Sequence, residues 1–335
     1  MKIEKPIFIN GFSRGGTTIL TNLLASHPDV CTVGETHHLF KGTTITDGVW
    51  RVVRKCLFHE LPVFVSQRED FFSPRRVCPR RPLAAWTRRH IDEVFYREKL
   101  RSFHPRLNGY KEQDARYSPE ELAAGRLVGK NIDGMIYAND AWADMYPDAS
   151  FFGLVRNGFA LCEGHVRRGR PAREIGWRYR VLVEKILSDA DRLPRYEIFR
   201  FEDLVADPWT LMQRACGVAE LDRQRLTQFR MQVRRVMDDQ GNHRLQGGQE
   251  WDVVWLKPSE LAGHFLADVN RNQIKRLSPA DRDHFLSQAG DVMERLGYST
   301  DLETQQESGP TVLPFSRPDA EVPPGRAAST RRRAA

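Results

Sequence analysis

The run Gly11-Phe12-Ser13-Arg14-Gly15-Gly16-Thr17-Thr18 carries the strongest chemical signal in this chain. It stands between a strand-like stretch, residues 6–10, and a helix expected from about Thr17 to Ser26. Glycines allow backbone N–H groups to converge on an anion, and the following helix N-terminus adds the positive end of its dipole. Thr17 and Thr18 contribute hydroxyl donors, and Arg14 contributes a guanidinium. The spacing imitates the nucleotide-binding pattern GxxxxGK[ST], but Thr17 fills the lysine position. A nucleoside triphosphatase needs that lysine, and usually a strand-end aspartate for magnesium. The apolar run 150–155 ends instead in a cation, Arg156. The loop therefore suits phosphate or sulfate without a Walker-type metal arrangement; the bland alternative is a tight strand-to-helix turn bearing an exposed arginine.

The surrounding pattern says what must position this loop. Val30–Val33 reads as a second strand, Leu127–Lys130 as a strand end, and Ser150–Val155 as a continuous apolar strand of buried type. Tyr196–Phe201 reads as a further strand. A helix is predicted over 172–190 because Ile175, Tyr179, Leu182, Val183 and Ile186 recur at helical spacing. Another is expected over 134–146. Ser118-Pro119-Glu120-Glu121 is a capping box with proline at the first helical position, closed by Gly125. Asp207-Pro208 and Ser278-Pro279 open two more helices, which stop near Gly217 and Gly297. Strands alternating with helices imply an α/β fold, three layers with a central parallel sheet. Residues 47–106 contain helical stretches broken by Pro62, Pro74, Pro79 and Pro82, which suggests an insertion. Beyond Ser299 the composition turns polar and proline-rich, so 301–335 is expected to be a disordered tail on a domain spanning 1–300.

Residues 7–18 together with Leu23-Leu24-Ala25-Ser26-His27-Pro28-Asp29 resemble the 5′-phosphosulfate loop and helix of sulfotransferases that use 3′-phosphoadenosine 5′-phosphosulfate (PAPS). The flavour is that of the tyrosylprotein and carbohydrate branches, since the cytosolic branch favours lysine where Arg14 stands. The resemblance implies a P-loop-like sulfotransferase fold, with Arg14, Gly15, Gly16, Thr17 and Thr18 on the 5′-phosphosulfate. It implies that Glu35 is the base that takes the acceptor's proton. His37 and His38 are rival bases, as histidine serves in the cytosolic branch. Lys130 matches a strand-end lysine that stabilises charge on the transferring group. Leu154-Val155-Arg156-Asn157-Gly158 resembles the 3′-phosphate motif, with Arg156 as its cation. Gly164 stands where the family carries serine, which removes one hydroxyl donor. Arg168 matches a second cation, although Arg167-Arg168-Gly169-Arg170 also reads as an exposed basic turn. Lys257, in Trp255-Leu256-Lys257-Pro258, resembles a late segment that wraps the nucleotide. Phe201, in the segment Phe199–Pro208, reads mainly as scaffold and as a candidate beside adenine. Residues 41–125 are expected to form the acceptor side. The product would be adenosine 3′,5′-bisphosphate.

Composition narrows the alternatives. The net charge is +7, and residues 66–106 hold eleven Lys/Arg against five Asp/Glu, a surplus that suits an anionic ligand or a solvated basic face. The five cysteines are scattered without a CxxC pair, so neither a disulfide framework nor a metal site is expected. No apolar run approaches the roughly 18 residues of a membrane span, and a cytoplasmic location is expected. The rivals are a small-molecule kinase, a basic nucleic-acid-binding protein, and a catalytically weak PAPS-binding homologue. Thr17 weighs against the first, and the second has no legible zinc-finger or RNA-binding motif. The acceptor stays open among carbohydrate, peptide tyrosine, lipid and small molecule.

Overall fold

The structure is a computed structural model that describes residues 2–40, 83–103, 117–233, 252–261, 263, 265 and 269–301. The expected tail, apart from residue 301, and much of the expected 41–125 insertion lie outside the described residues.

Five strands build the central sheet: β1 (Ile7–Gly11), β2 (Val30–Glu35), β3 (Arg126–Ile132), β4 (Ser150–Val155) and β5 (Tyr196–Arg200). They pair in the order β2-β3-β1-β4-β5, and every pairing is parallel. A parallel sheet is covered on both faces, which is why its strands read as apolar runs rather than alternating ones. β1 shows this directly. Ile7 and Ile9 face one core with Val128, Phe152, Leu154 and Phe199. Phe8 faces the other with Leu127, Phe151, Val155 and Ile198.

The first face is covered by α1 (Thr17–Ala25), α8 (Pro208–Val218) and an antiparallel hairpin of β6 (Phe229–Val233) and β7 (Asp252–Leu256). The second is covered by α2 (Ala85–Ser102), α4 (Asn139–Met145), α6 (Ala172–Arg192) and α11 (Pro279–Arg295). The shorter helices are α3 (Pro119–Ala124), α5 (Gly158–Val166), α7 (Phe201–Ala206), α9 (Pro258–Leu261) and α10 (Val269–Ile274). The fold is thus α/β with three layers, as the strand–helix alternation implied. Phe8 shows what holds the layers together: its ring stacks at 5.6 Å on both Trp142 of α4 and Phe151 of β4. Full burial of such a side chain stabilises by about 1.5–3 kcal/mol.

Local signals act where they were read. Ser118 caps α3 with the full capping box, Gly125 follows it, and the Asp207 carboxylate accepts from the Thr210 N–H at 3.0 Å to start α8. Two elements differ from expectation. The helix expected over 134–146 begins as a 3-10 segment, Asp133–Ala138, and becomes α-helical only at α4. Asp133 enters it with a left-handed backbone, φ +52°, so the chain starts there in a turn rather than a helix. β2 also runs past Val33 to Glu35. Its ladder pairs Thr32 with Val128 and next Glu35 with Lys130, leaving a bulge at Val33-Gly34. Gly34 takes φ +70°, which only glycine adopts without cost, and so carries Glu35 into register with Lys130.

Candidate active site

In a parallel sheet ligands gather at the carboxyl ends of strands where the chain departs in opposite directions. Here β1 leaves towards β2 and β4 leaves towards β5, and the glycine loop lies at that junction. Residues 12–16 turn tightly, with the Gly15 N–H donating to the Phe12 carbonyl at 3.0 Å. The Ser13 N–H donates to Asp133 Oδ1 at 2.9 Å, and His165 Nε2 donates to the Ser13 carbonyl at 3.1 Å. Arg14 is held in the left-handed region at φ +72°, an uncommon state for a non-glycine residue. Gly16 follows at φ +91°. Its missing Cβ is also a spatial requirement, because one there would stand 2.3 Å from the Phe201 ring. Among the described residues, no acceptor meets the backbone N–H groups of Arg14, Gly16, Thr17 or Thr18. Arg14 and Thr18 are exposed, and Thr17 is buried. Free N–H groups at the start of a nine-residue helix, beside an exposed arginine, can hold an anion, and the loop is a candidate anion cradle.

Three further groups meet at its mouth. Lys130 Nζ donates to Thr18 Oγ1 at 3.2 Å and lies 3.4 Å from Glu35 Oε1. The other Glu35 oxygen lies 3.6 Å from His37 Nε2. Adjacent strand ends create this meeting: β3 lies between β1, which feeds the loop, and β2, whose bulge delivers Glu35. His37 is buried, whereas Glu35 and Lys130 are partly exposed. Such an arrangement can accept a proton at a carboxylate and stabilise negative charge at an ammonium. His38 lies in the 3-10 turn Thr36–Phe40.

Arg156 sits on the other side of the loop, at the end of β4. It is buried, and its three guanidinium nitrogens are engaged. Nη1 donates to the Arg14 carbonyl at 2.8 Å, Nε donates to Asn270 Oδ1 at 2.9 Å, and Nη2 donates to Gln273 Oε1. The guanidinium carbon stacks 4.3 Å over the Phe201 ring. Burial pushes the Arg156 guanidinium below its ordinary pKa, opposed by the charges of Glu202, Tyr298 and Glu163. Gly164 is buried beside it; a Cβ there would lie 3.6 Å from Gln273 Nε2 and 3.8 Å from Arg14 Cβ, in ordinary contact. Arg168 is exposed and donates to the Gly164 carbonyl at 2.9 Å. Lys257 is exposed at the end of β7.

Sequence reasoning missed the groups that bind α10 to this corner. Glu202 accepts from the Asn157 N–H at 3.0 Å, from Asn270 Nδ2, and from the Tyr298 hydroxyl at 2.7 Å. Glu163 accepts from Gln273 Nε2 at 3.2 Å and Arg276 Nε at 2.9 Å. These partners lie 45 to 113 residues apart in the chain, so no local pattern announces them. Among the described residues no cluster of three or more His, Cys, Asp or Glu could hold a metal ion, and no helix is long and apolar enough to cross a membrane.

Several solved structures are similar to this chain. The sulfotransferase domain from the Synechococcus PCC 7002 olefin synthase shares 17% identity over 89% of this chain and 97% of that one, with a TM-score of 0.47. For the sulfotransferase domain from the curacin biosynthetic pathway the values are 14% identity, 89% and 99% coverage, and a TM-score of 0.45. For a sulfotransferase from Alicyclobacillus acidocaldarius they are 16%, 91% and 100%, and 0.40. No curated protein matches the sequence. The profile of the sulfotransferase family does match, over residues 6–225 of 335; because that span is well over half of the chain, the chain belongs to the sulfotransferase family.

Proposed function

We propose that this chain transfers a sulfuryl group from PAPS to a hydroxyl, or an amine, of its acceptor and releases adenosine 3′,5′-bisphosphate. The observation that carries this reading is the meeting of Thr18, Lys130 and Glu35 within 3.4 Å steps at the mouth of a loop in which the N–H groups of Arg14, Gly16, Thr17 and Thr18 meet no acceptor among the described residues. On this reading the N–H groups of Arg14, Gly16, Thr17 and Thr18, the threonine hydroxyls and the Arg14 guanidinium hold the 5′-phosphosulfate. Glu35 takes the proton of the acceptor hydroxyl as its oxygen bonds to sulfur. The bond from sulfur to the bridging phosphate oxygen breaks, and Lys130 stabilises the charge left on that oxygen. His37, against Glu35, orients the carboxylate or serves as the base in its place.

The second phosphate belongs, on the same reading, at the Arg156 corner. Arg156 would exchange an amide oxygen of Asn270 or Gln273 for a phosphate oxygen, a charge-assisted bond in place of a neutral one. Gly164 leaves room there, and Arg168 and Lys257 add positive charge from the rim. On this reading, Glu35 as the base and Arg14 in the loop favour a likeness to the tyrosylprotein and carbohydrate branches over the cytosolic one. The described cysteines, free and buried, suit the reducing cytoplasm. Thermal stability in the presence of nucleotides tests the donor. PAPS or adenosine 3′,5′-bisphosphate at 100 times its Kd should stabilise by about 2.7 kcal/mol. ATP with magnesium should do much less, and equal stabilisation by ATP would favour a kinase instead.

A further inference from the structure

Beneath the ion pair of Glu35 and Lys130 lies a row of buried polar side chains that the proposed chemistry does not use. Asn10 ends the approach to the glycine loop, Thr36 follows Glu35, and Asn131 follows Lys130; all three have no exposed surface. Thr36 Oγ1 donates to Asn131 Oδ1 at 2.7 Å. Asn131 Nδ2 donates to Asn10 Oδ1 at 3.3 Å and to Asn139 Oδ1 at 3.2 Å. Asn139 Nδ2 donates to Asp189 Oδ2 at 2.8 Å, and the other Asp189 oxygen accepts from Lys185 Nζ at 2.6 Å. Asn10 and Asn131 are cross-strand partners in the register of β1 and β3. Strands covered on both faces ordinarily fill such positions with Val or Ile, so two amides there are out of pattern. Burying them is costly unless every member of the row is satisfied.

The position of this row matters because of the β2 bulge. Between Thr32 and Glu35 the ladder to β3 is interrupted and resumes only at the Glu35–Lys130 pair, so the regular pairing up to Thr32 does not carry through to Glu35. The 2.7 Å bond from Thr36 to Asn131 closes the two strand ends one residue beyond the 3.4 Å contact of Glu35 and Lys130. The methyl of Thr36 faces Gly129, where an added Cβ would approach it to 2.7 Å, so the glycine leaves room for the methyl while the hydroxyl reaches Asn131. We propose that Thr36 is a positioning residue: its hydroxyl, anchored by Asn131, holds the Glu35 carboxylate against Lys130 and the loop. This rests on the reading of Glu35 and Lys130 as the groups that perform the transfer.

The test compares Thr36→Val, which keeps the shape and removes the hydroxyl, with Thr36→Ser, which keeps the hydroxyl. Single-turnover transfer from PAPS is measured beside affinity for adenosine 3′,5′-bisphosphate and thermal stability. Misplacement of a reacting group by an ångström can cost about 10²-fold in rate. Thr36→Val is therefore expected to lose roughly tenfold or more in turnover, with donor affinity kept within about twofold, and Thr36→Ser is expected to recover most of it. Asn139→Ala breaks the same row on its far side and should lower stability while turnover stays near wild type. The proposal is overturned if Thr36→Val turns over within twofold of wild type while Glu35→Gln is impaired. It is overturned equally if Thr36→Ser fails as badly as Thr36→Val, or if all three variants lose turnover in proportion to stability. Should Glu35→Gln itself stay near wild type, the underlying reading of the base fails, and that outcome is separate from the others.

Discussion

Two glycines in left-handed conformation offer a controlled comparison. Gly16 has φ +91° and Gly34 has φ +70°, so alanine at either incurs the left-handed penalty of about 1–2 kcal/mol. They differ in space. A Cβ on Gly34 meets nothing within 4 Å, whereas one on Gly16 falls 2.3 Å and 2.7 Å from two carbons of the Phe201 ring. That ring cannot withdraw freely, because it is buried and carries the Arg156 guanidinium on its face. Overpacking of this kind adds about 1–3 kcal/mol. Gly34→Ala should therefore destabilise by about 1–2 kcal/mol and Gly16→Ala by about 2–5 kcal/mol, read from urea midpoints at unchanged slope. In Gly16→Ala/Phe201→Ala the clash is absent, so the double variant should be more stable than the sum of the two single losses. Equal costs at the two glycines, or strict additivity with Phe201→Ala, would refute the close packing of Phe201 on the loop.

Other outcomes follow from the same geometry. Arg156→Ala should weaken adenosine 3′,5′-bisphosphate by about 1.5–3 kcal/mol in calorimetry and adenosine 5′-phosphate much less; equal losses would leave Arg156 as a strut between the loop and α10. Burial alone would raise the Glu163 carboxyl, but hydrogen bonds from Arg276 and Gln273 and the Arg276 charge hold it below the usual carboxylate range. A lowered folded-state pKa contributes stability above the unfolded value and loses it as pH falls through the folded one. The stability gap between wild type and Glu163→Gln should accordingly be widest near neutrality and close on acidification; a gap independent of pH would contradict the ion pair. Asp207→Ala removes the acceptor for the Thr210 N–H and should cost about 1 kcal/mol in thermal or urea unfolding.

Legibility in the sequence followed the range of the physics. Caps and turns are local, so Ser118, Asp207-Pro208 and the glycine loop could be read directly, and the apolar run 150–155 announced a strand buried on both faces. Strand β6 is equally legible, since Phe229-Arg230-Met231-Gln232-Val233 alternates apolar and polar at period two, whereas its antiparallel pairing with β7 is not. The bulge at Gly34 was not available. A glycine in a strand pattern marks either an ending or an irregularity, and only the pairing with β3 shows which. Helix α10 is six polar-rich residues without periodicity, and its importance lies in contacts to Arg156 more than 110 residues away. Glu35, Lys130 and Thr18 were each visible as candidates. Their convergence depends on β3 lying between β1 and β2, a long-range fact about strand order.

The central claim is tested most directly by single-turnover transfer from sulfur-labelled PAPS to a panel of sugar, tyrosyl-peptide, lipid and phenolic acceptors. Wild type should place label on one acceptor class. Glu35→Gln should slow that transfer about 10²–10⁴-fold while keeping its affinity for adenosine 3′,5′-bisphosphate. Lys130→Ala should slow it too, through weaker stabilisation of the leaving charge. Transfer of phosphate from labelled ATP instead, with none of sulfur from PAPS, would contradict the assignment of the reaction. Undiminished transfer by Glu35→Gln with loss in His37→Ala would move the base to histidine.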